Sequence, residues 1–305
     1  MKTQIPEQLK ADVPHTTMGK LLLATPVVMT VIATMLAGLA SSEMTRAQYD
    51  RAYAAQLQSK AGDQWNYFQA KKLRGAMQRN SVELLQSTVE IRLLESAAVQ
   101  KAVGLELDSQ TLEALNLGKL TQAQTIADQY EARSDEAIKA AAEAIERQNS
   151  DEEVNAAANA VSDALLAGAL KVAKLSLQNL DVSVEPVNLA VNKLEKALAG
   201  GADRSLARDF AAGRMRYAAT RYEIEARLNR FIALLYEVQV RKNNLSAERH
   251  HKRSGKFFFG MLAAQAAVIV STFSLAAQKR NFLWSVAAIA GVVAIAFAVY
   301  VYLCI

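Results

Sequence analysis

The chain has 305 residues, 51% of them hydrophobic but only 7% aromatic, with 4 prolines and 13 glycines. A turn-rich β protein or a disordered chain needs more of both breakers, so helices built on alanine and aliphatic residues are expected. A single cysteine, Cys304, and 3 histidines exclude an internal disulfide framework and the usual zinc clusters. The formal net charge is +5 with 21% charged residues, and mean hydropathy is +0.04. Such an average arises from two populations, one suited to lipid and one to water.

After an N-terminal tail of residues 1–20, charge vanishes over residues 21–42, 257–278 and 281–305. Each run can cross ~30 Å of hydrocarbon at ~1.5 Å per residue. The first could be a cleaved secretory signal, since Lys2, Lys10 and Lys20 precede it and Gly38-Leu39-Ala40 offers the cleavage spacing. It exceeds the usual apolar core of about 7–15 residues, however, and reads better as a signal anchor. Pro26 inside it is expected to kink the helix.

Residues 43–256 form the water-soluble part, with 30 basic and 28 acidic residues. That balance argues against a dedicated nucleic-acid surface. A helix is expected to continue from the first crossing to about Val103. It carries DQWNYFQAKKLR, residues 63–74, where Trp65, Tyr67, Gln69 and Lys71 are the candidate ligand or partner contacts. The competing and favoured reading packs Trp65 and Phe68 on one face and leaves Lys71 and Lys72 solvated.

A short piece near Ser109–Asn116 is followed by helices expected at 121–148, 151–180 and 186–199. Thr121 with Gln124 and Ser150 with Glu153 fit capping boxes. Pro186 suits a first helical turn after LDVSVEP, read as an interhelical turn, and Gly200-Gly201 suits a helix end. Apolar spacing keeps a three-four rhythm at Val154, Ala158, Val161, Leu165, Gly168, Val172 and Leu175, and again at Val187, Val191, Leu194 and Leu198. This is the period of left-handed bundle and coiled-coil packing, and its alanine- and glycine-rich seams suggest stabilisation by neighbouring subunits.

The last long helix is expected to begin near Asp203 and run into the second crossing, bending at Gly213 or at Ser254-Gly255. Ile224, Leu228, Phe231, Leu235 and Val238 continue the seam, and residues 208–230 interleave arginines with Phe210, Tyr217 and Tyr222. Single-stranded nucleic acid could stack there. The pairs Arg221–Glu225 and Glu223–Arg227 at spacing four favour an ion-laced bundle helix instead. Near the membrane, Arg249, His250, Lys252, Arg253 and Lys256 are candidate contacts to lipid headgroups, together with Lys279 and Arg280.

Only Lys279-Arg280 separates the second and third runs, so a tight transmembrane hairpin is expected. Ala263-Ala267-Ser271 and Ala290-Ala294-Ala298 would let its helices approach closely, and Phe282, Trp284, Tyr300 and Tyr302 suit the interfaces. No ionisable residue lies within the runs, which argues against an ion-coupled transporter. Three crossings place residues 43–256 opposite the N-terminus. Nine basic residues flank the membrane on the domain side (Arg46, Arg51, Lys60, Arg241, Lys242, Arg249, Lys252, Arg253, Lys256) against five on the other (Lys2, Lys10, Lys20, Lys279, Arg280). A cytoplasmic helical domain is therefore expected, although the basic hairpin loop pulls the other way.

No GxGxxG, GxxxxGK or GxSxG motif occurs, so nucleotide loops and a serine nucleophile elbow are unsupported. No cofactor or catalytic residue is expected. DQWNYFQAKKLR after a first crossing, a helical domain and a closing hairpin around QKRNFLW resemble the uncharacterised bacterial membrane proteins grouped as domain of unknown function 4337. The resemblance covers the first crossing, residues 59–74 and the last fifty residues; it implies a bacterial membrane location and no activity. The expected protein is all-α and integral to the bacterial inner membrane, with three transmembrane helices and an elongated helical-bundle or coiled-coil domain. It is read as a non-enzymatic scaffold whose partners are membrane lipids and its own copies. A ligand-binding sensor, with its small molecule unknown, and a passive oligomeric pore are the alternatives.

Overall fold

The computed structural model describes residues 17–199, 203–276 and 280–304, and every regular element among them is an α-helix. In chain order these are α1 (Thr17–Thr88), α2 (Ser96–Val103), α3 (Ser109–Leu117), α4 (Thr121–Arg133), α5 (Glu136–Glu146), α6 (Asp151–Ala160), α7 (Asp163–Ala199), α8 (Arg204–Ala276) and α9 (Arg280–Cys304). The chain divides into a helical unit, Ala54–Lys242, and a second unit joining Met1–Tyr53 to Asn243–Ile305. Lys279, Gly200 and Gly201 lie outside the described residues, as do most of the N-terminal tail and the rest of residues 277–279.

In the helical unit α8 is the central helix. From Leu206 to Val240 every residue except Glu223 is buried or half-buried, because Ile224, Leu228, Ile232, Leu234, Leu235 and Val238 on one half of the cylinder and Ala226, Ala233, Tyr236 and Val240 on the other place apolar groups on all its sides. The other helices each lay one stripe on it. The α1 stripe includes Ala54, Leu57 and Ala61, and α7 contributes Leu166, Ala173, Leu180, Val184, Val187, Val191, Leu194 and Leu198. The short helices add Val99, Leu115, Ala127, Tyr130, Ile138 and Ala158. Fully burying a leucine such as Leu228 or Leu180 contributes about 2 kcal/mol. Gly213 lets α3 approach closely: a Cβ there would stand 3.2 Å from the Leu115 carbonyl oxygen.

Several boundaries differ from those read in the sequence. The first helix stops at Thr88 rather than Val103, and residues 89–95 are non-helical. The Asn116 side chain satisfies this strip's backbone, accepting from the Leu94 N–H at 2.7 Å and donating to its carbonyl at 2.8 Å. The 121–148 helix is two helices, because Asp135 caps α5 by accepting from the Ala137 N–H. Leu120, not Thr121, occupies the N-cap of α4 and makes no side-chain bond there. Ser150 does cap α6, accepting from the Glu153 N–H.

The expected 151–180 helix breaks at Val161–Ser162, where the Ser162 hydroxyl accepts from the Leu165 N–H at 3.2 Å. The break re-phases the seam. Leu166 and Ala173 turn inward, while Gly168, Val172 and Leu175 are exposed. The anticipated turn at LDVSVEP is helix, since α7 runs through Pro186. Pro186 is exposed and Val182, whose carbonyl loses its helical donor, is 67% exposed, so water can serve that carbonyl. Val184 and Val187, both 1% exposed, hold the helix to the core through the interruption. The last helix also continues through Gly213, Ser254 and Gly255.

In the second unit, α1, α8 and α9 are each long and apolar enough to cross a membrane. They pack through Ala33, Leu36 and Ala40 of α1, Phe257 and Ala264 of α8, and Ala294 and Val301 of α9. Ala267, Ser271 and Ala294 of the expected small-residue rows are buried, whereas Ala263, Ala290 and Ala298 are half-buried. The close contacts recur at three-four spacing: Gly260, Ala264, Ala267, Ser271 and Ser274 on α8, and Ala287, Gly291, Ala294 and Val301 on α9. Val27, Val31, Met35, Phe259, Phe273, Ile289 and Val292 face outward, as lipid-facing residues do. The helix persists through Pro26. Beside it, the Thr25 hydroxyl donates to the Leu21 carbonyl at 2.7 Å and accepts from the Trp284 indole at 2.9 Å.

Candidate functional site

The DQWNYFQAKKLR segment lies on α1 against the central helix. The Trp65 indole donates to Glu237 Oε1 at 2.6 Å and meets the Phe68 ring edge-on, 5.5 Å between centroids. Lys71 is not solvated as expected. Its ammonium pairs with Glu225, which is 3% exposed, and stands 5.2 Å from the centroid of the Tyr222 ring. Lys72 is exposed and leans over Phe68.

The expected Arg221–Glu225 pair forms at 2.7 Å. Arg221 also donates to Asn188 Oδ1 at 3.1 Å, and the Tyr217 hydroxyl donates to the same oxygen at 2.6 Å. Burial disfavours the Arg221 cation, but Glu225 beside it outweighs this and raises its pKa further. Burial likewise pushes the Tyr217 hydroxyl up. Lys71, Arg221 and Glu225 line a groove of about 280 Å³ with Gln64, Tyr67, Leu177, Asp181 and Asn229. Its walls can hold a small polar or zwitterionic group, and they present no serine or cysteine nucleophile. Of the four contact candidates, Tyr67 and Lys71 reach this groove; Trp65 braces the helix behind it and Gln69 is exposed.

The expected Glu223–Arg227 pair does not form. Glu223 pairs with Arg79 of α1 at 2.6 Å, and Arg227 reaches Asp128 at 2.7 Å and Glu131, both on α4. Burial opposes the Arg227 cation, and hydrogen bonds to those two carboxylates raise its pKa nonetheless. Similar pairs tie Arg230 to Glu146, Arg241 to Asp151 and Lys242 to Asp163. The basic side chains of α8 therefore fasten it to α4, α5, α6 and α7 in turn. Sequence spacing missed these links because each joins residues more than seventy positions apart.

The headgroup candidates divide. Arg249 is exposed, and Lys252 is exposed but paired with Glu248 at 2.6 Å, which holds that carboxyl below its usual range. His250 turns inward, with Nδ1 2.5 Å from Glu43 Oε2. Arg253 and Lys256 are half-buried. Between them the Ser254 hydroxyl donates to the Ala40 carbonyl at 2.7 Å. Arg280 opens α9, and Lys279 lies outside the described residues. Among the described residues no three His, Cys, Asp or Glu side chains are gathered for a metal ion. No family model matches the chain, and no curated protein or solved structure is significantly similar to it.

Proposed function

We propose that the protein is a non-enzymatic, multi-pass scaffold of the bacterial inner membrane whose helical unit self-associates into a homo-oligomer on the cytoplasmic side. The observation that carries this reading is a second apolar stripe on α7, away from the core, with Val172, Leu175, Val182 and Leu189 between 45% and 67% exposed. A soluble surface rarely keeps such a row uncovered. The excess of basic residues flanking the helical unit supports the cytoplasmic orientation. The resemblance to domain of unknown function 4337 supports a bacterial membrane and lends no activity. Native mass spectrometry of the full chain in mild detergent tests the reading: an oligomer is expected, and a clean monomer at micromolar concentration refutes it.

The groove at Lys71, Arg221 and Glu225 favours a second reading, a membrane-tethered sensor for small zwitterionic ligands. Thermal-shift screening of the full chain with amino acids and other zwitterionic metabolites separates the two. Stabilisation abolished by Lys71→Met supports the sensor, and no stabilisation leaves the scaffold.

A further inference from the structure

We infer that two copies of the chain pair side by side in the membrane along α8, with the Gln265 side chains of the two copies hydrogen-bonded to each other. The inference rests on the self-association reading but not on the outer stripe of α7. Gln265 stands eight residues beyond Phe257 in the uncharged run of α8. At ~1.5 Å per residue that is ~12 Å into a hydrocarbon layer of ~30 Å, close to its midplane. Its side chain is exposed and makes no hydrogen bond within the chain among the described residues. At that depth no water serves the amide, so its donors and acceptor carry the full cost of desolvation until another polar group reaches them. A position that met lipid alone would carry an apolar side chain, as the exposed Leu262, Ile269 and Phe273 do.

The surroundings of Gln265 admit a second helix. A groove of about 460 Å³ runs between α1 and α8, lined by Thr30, Ala33, Thr34 and Ala37 on one side and by Gln265 and Val268 on the other. Thr30, Thr34 and Gly38 are exposed at spacing four, and nothing lies within 4 Å of a Cβ at Gly38, so a neighbouring backbone can come close. On α8, Phe258, Met261, Gln265, Val268 and Thr272 follow one another at spacings of three, four, three and four. This row lies about a quarter of a turn from the buried row of Phe257, Ala264 and Ser271. None of its five members is itself buried. It is a seam of the coiled-coil period with its polar residue at the centre.

The membrane fixes the direction of the pair. Both copies carry α8 into the bilayer the same way, so only a two-fold axis along the membrane normal can relate them. Such an axis allows no vertical offset, and each residue of the seam meets its own counterpart. The residue at the centre must therefore be complementary to itself. A lysine or glutamate there would meet its own charge, whereas the Gln265 amide can both donate and accept: each Oε1 accepts from the partner's Nε2. One amide hydrogen on each side is left over. Thr30 and Thr34 donate their hydroxyls to the Pro26 and Thr30 carbonyls at 2.8 and 2.9 Å, and both oxygens keep a lone pair that can take this hydrogen.

Disulfide trapping of the full chain in phosphatidylcholine vesicles, with Cys304→Ser as background, tests the geometry. Met261→Cys and Val268→Cys are each expected to cross-link with their own kind on mild oxidation, and Phe259→Cys, on another side of α8, several-fold less. Diluting the Met261→Cys chain with lipid turns the cross-link yield into a dissociation constant. Adding Gln265→Leu should raise that constant roughly ten-fold, and adding Gln265→Asn, whose amide can still pair with its copy, should raise it less. Circular dichroism should stay unchanged, because the Gln265 amide holds nothing within its own chain. Preferential cross-linking of Phe259→Cys, or a Gln265→Leu chain that pairs as tightly as its parent, overturns the inference. If native mass spectrometry then still finds an oligomer, the scaffold reading stands on another face. A monomeric wild type overturns both.

Discussion

Glu225 offers the sharpest test of how the helical unit is held. Its carboxylate is 3% exposed and faces Lys71 from α1 and Arg221 from one turn back on α8. Replacing it by leucine leaves two half-buried cations facing each other with no counter-charge between them. Removing one member of a buried ion pair costs about 3–5 kcal/mol. The Lys71 and Arg221 side chains keep 26% and 28% exposure, enough to turn toward solvent, so the lower bound applies. The expected loss is about 3 kcal/mol, on the order of a hundredfold in the folding equilibrium. Replacing all three groups (Lys71→Met, Arg221→Met, Glu225→Leu) should recover most of it, because no charge is then left without a partner. The chain has 2 tryptophans. A Trp284→Phe background leaves Trp65 in the helical unit, with its indole bonded to Glu237, as the fluorescent reporter of guanidinium unfolding in detergent. A loss below ~1 kcal/mol for Glu225→Leu would show that the cluster behaves as solvated surface. A triple variant less stable than the single one would refute the desolvation argument itself.

The same unfolding assay reads three further perturbations. Gly62 lies inside α1 with nothing within 4 Å of a Cβ, so Gly62→Ala should stabilise by about 0.5–1 kcal/mol. Gly118 has φ +64° with Thr220 Oγ1 3.0 Å from its Cβ position, so Gly118→Ala should destabilise by about 1–3 kcal/mol; equal effects at the two sites would refute the conformational reading. Gly213→Val should cost about 2 kcal/mol by forcing α3 away from α8, and a neutral result would mean that the Leu115 backbone yields freely. Burial pushes the Tyr130 hydroxyl up to about 12, against the lowering effect of its Ser134 hydrogen bond. The folded chain therefore keeps a proton that the unfolded chain loses above its ordinary pKa of about 10. This stabilisation is fully present below pH ~10 and is lost as pH rises to ~12, by about 2–3 kcal/mol. Tyr130→Phe should flatten that decline, and an unchanged slope would refute it.

The features legible in the sequence are those whose cause is local. A helix in lipid needs about twenty residues without charge, so the three segments apolar enough to cross a membrane stand out from composition alone. Ser150 caps α6 because its partner is three residues away, and Arg221 meets Glu225 because spacing four brings them to one face. The features that composition and spacing could not show depend on distant partners. Leu94 leaves the helical state because Asn116 supplies a donor and an acceptor at the right height. Arg227 passes over Glu223, one turn away, for two carboxylates nearly a hundred residues earlier. Lys71 is drawn out of water by Glu225, which was legible only as the intrahelical partner of Arg221.

The two stripes of α7 show why periodicity fixes a phase but not a partner. The row Val154, Ala158, Val161, Leu165, Gly168, Val172, Leu175 is continuous in the sequence, yet its first three members are in the core and its last three face outward. The change occurs at Ser162, whose capping bond starts a new helix and rotates the residues beyond it. Leu166, Ala173 and Leu180, a second row hidden beside the first, then take over the contact with α8. An outward-turned row with no role would be free to fill with charge, as the exposed first turn of α6 does at Glu152 and Glu153. Instead the heptad continues past the break to Val182 and Leu189, which keep 67% and 53% exposure as bare aliphatic side chains. That continuity of exposed aliphatic residues is the observation behind the self-association proposed above.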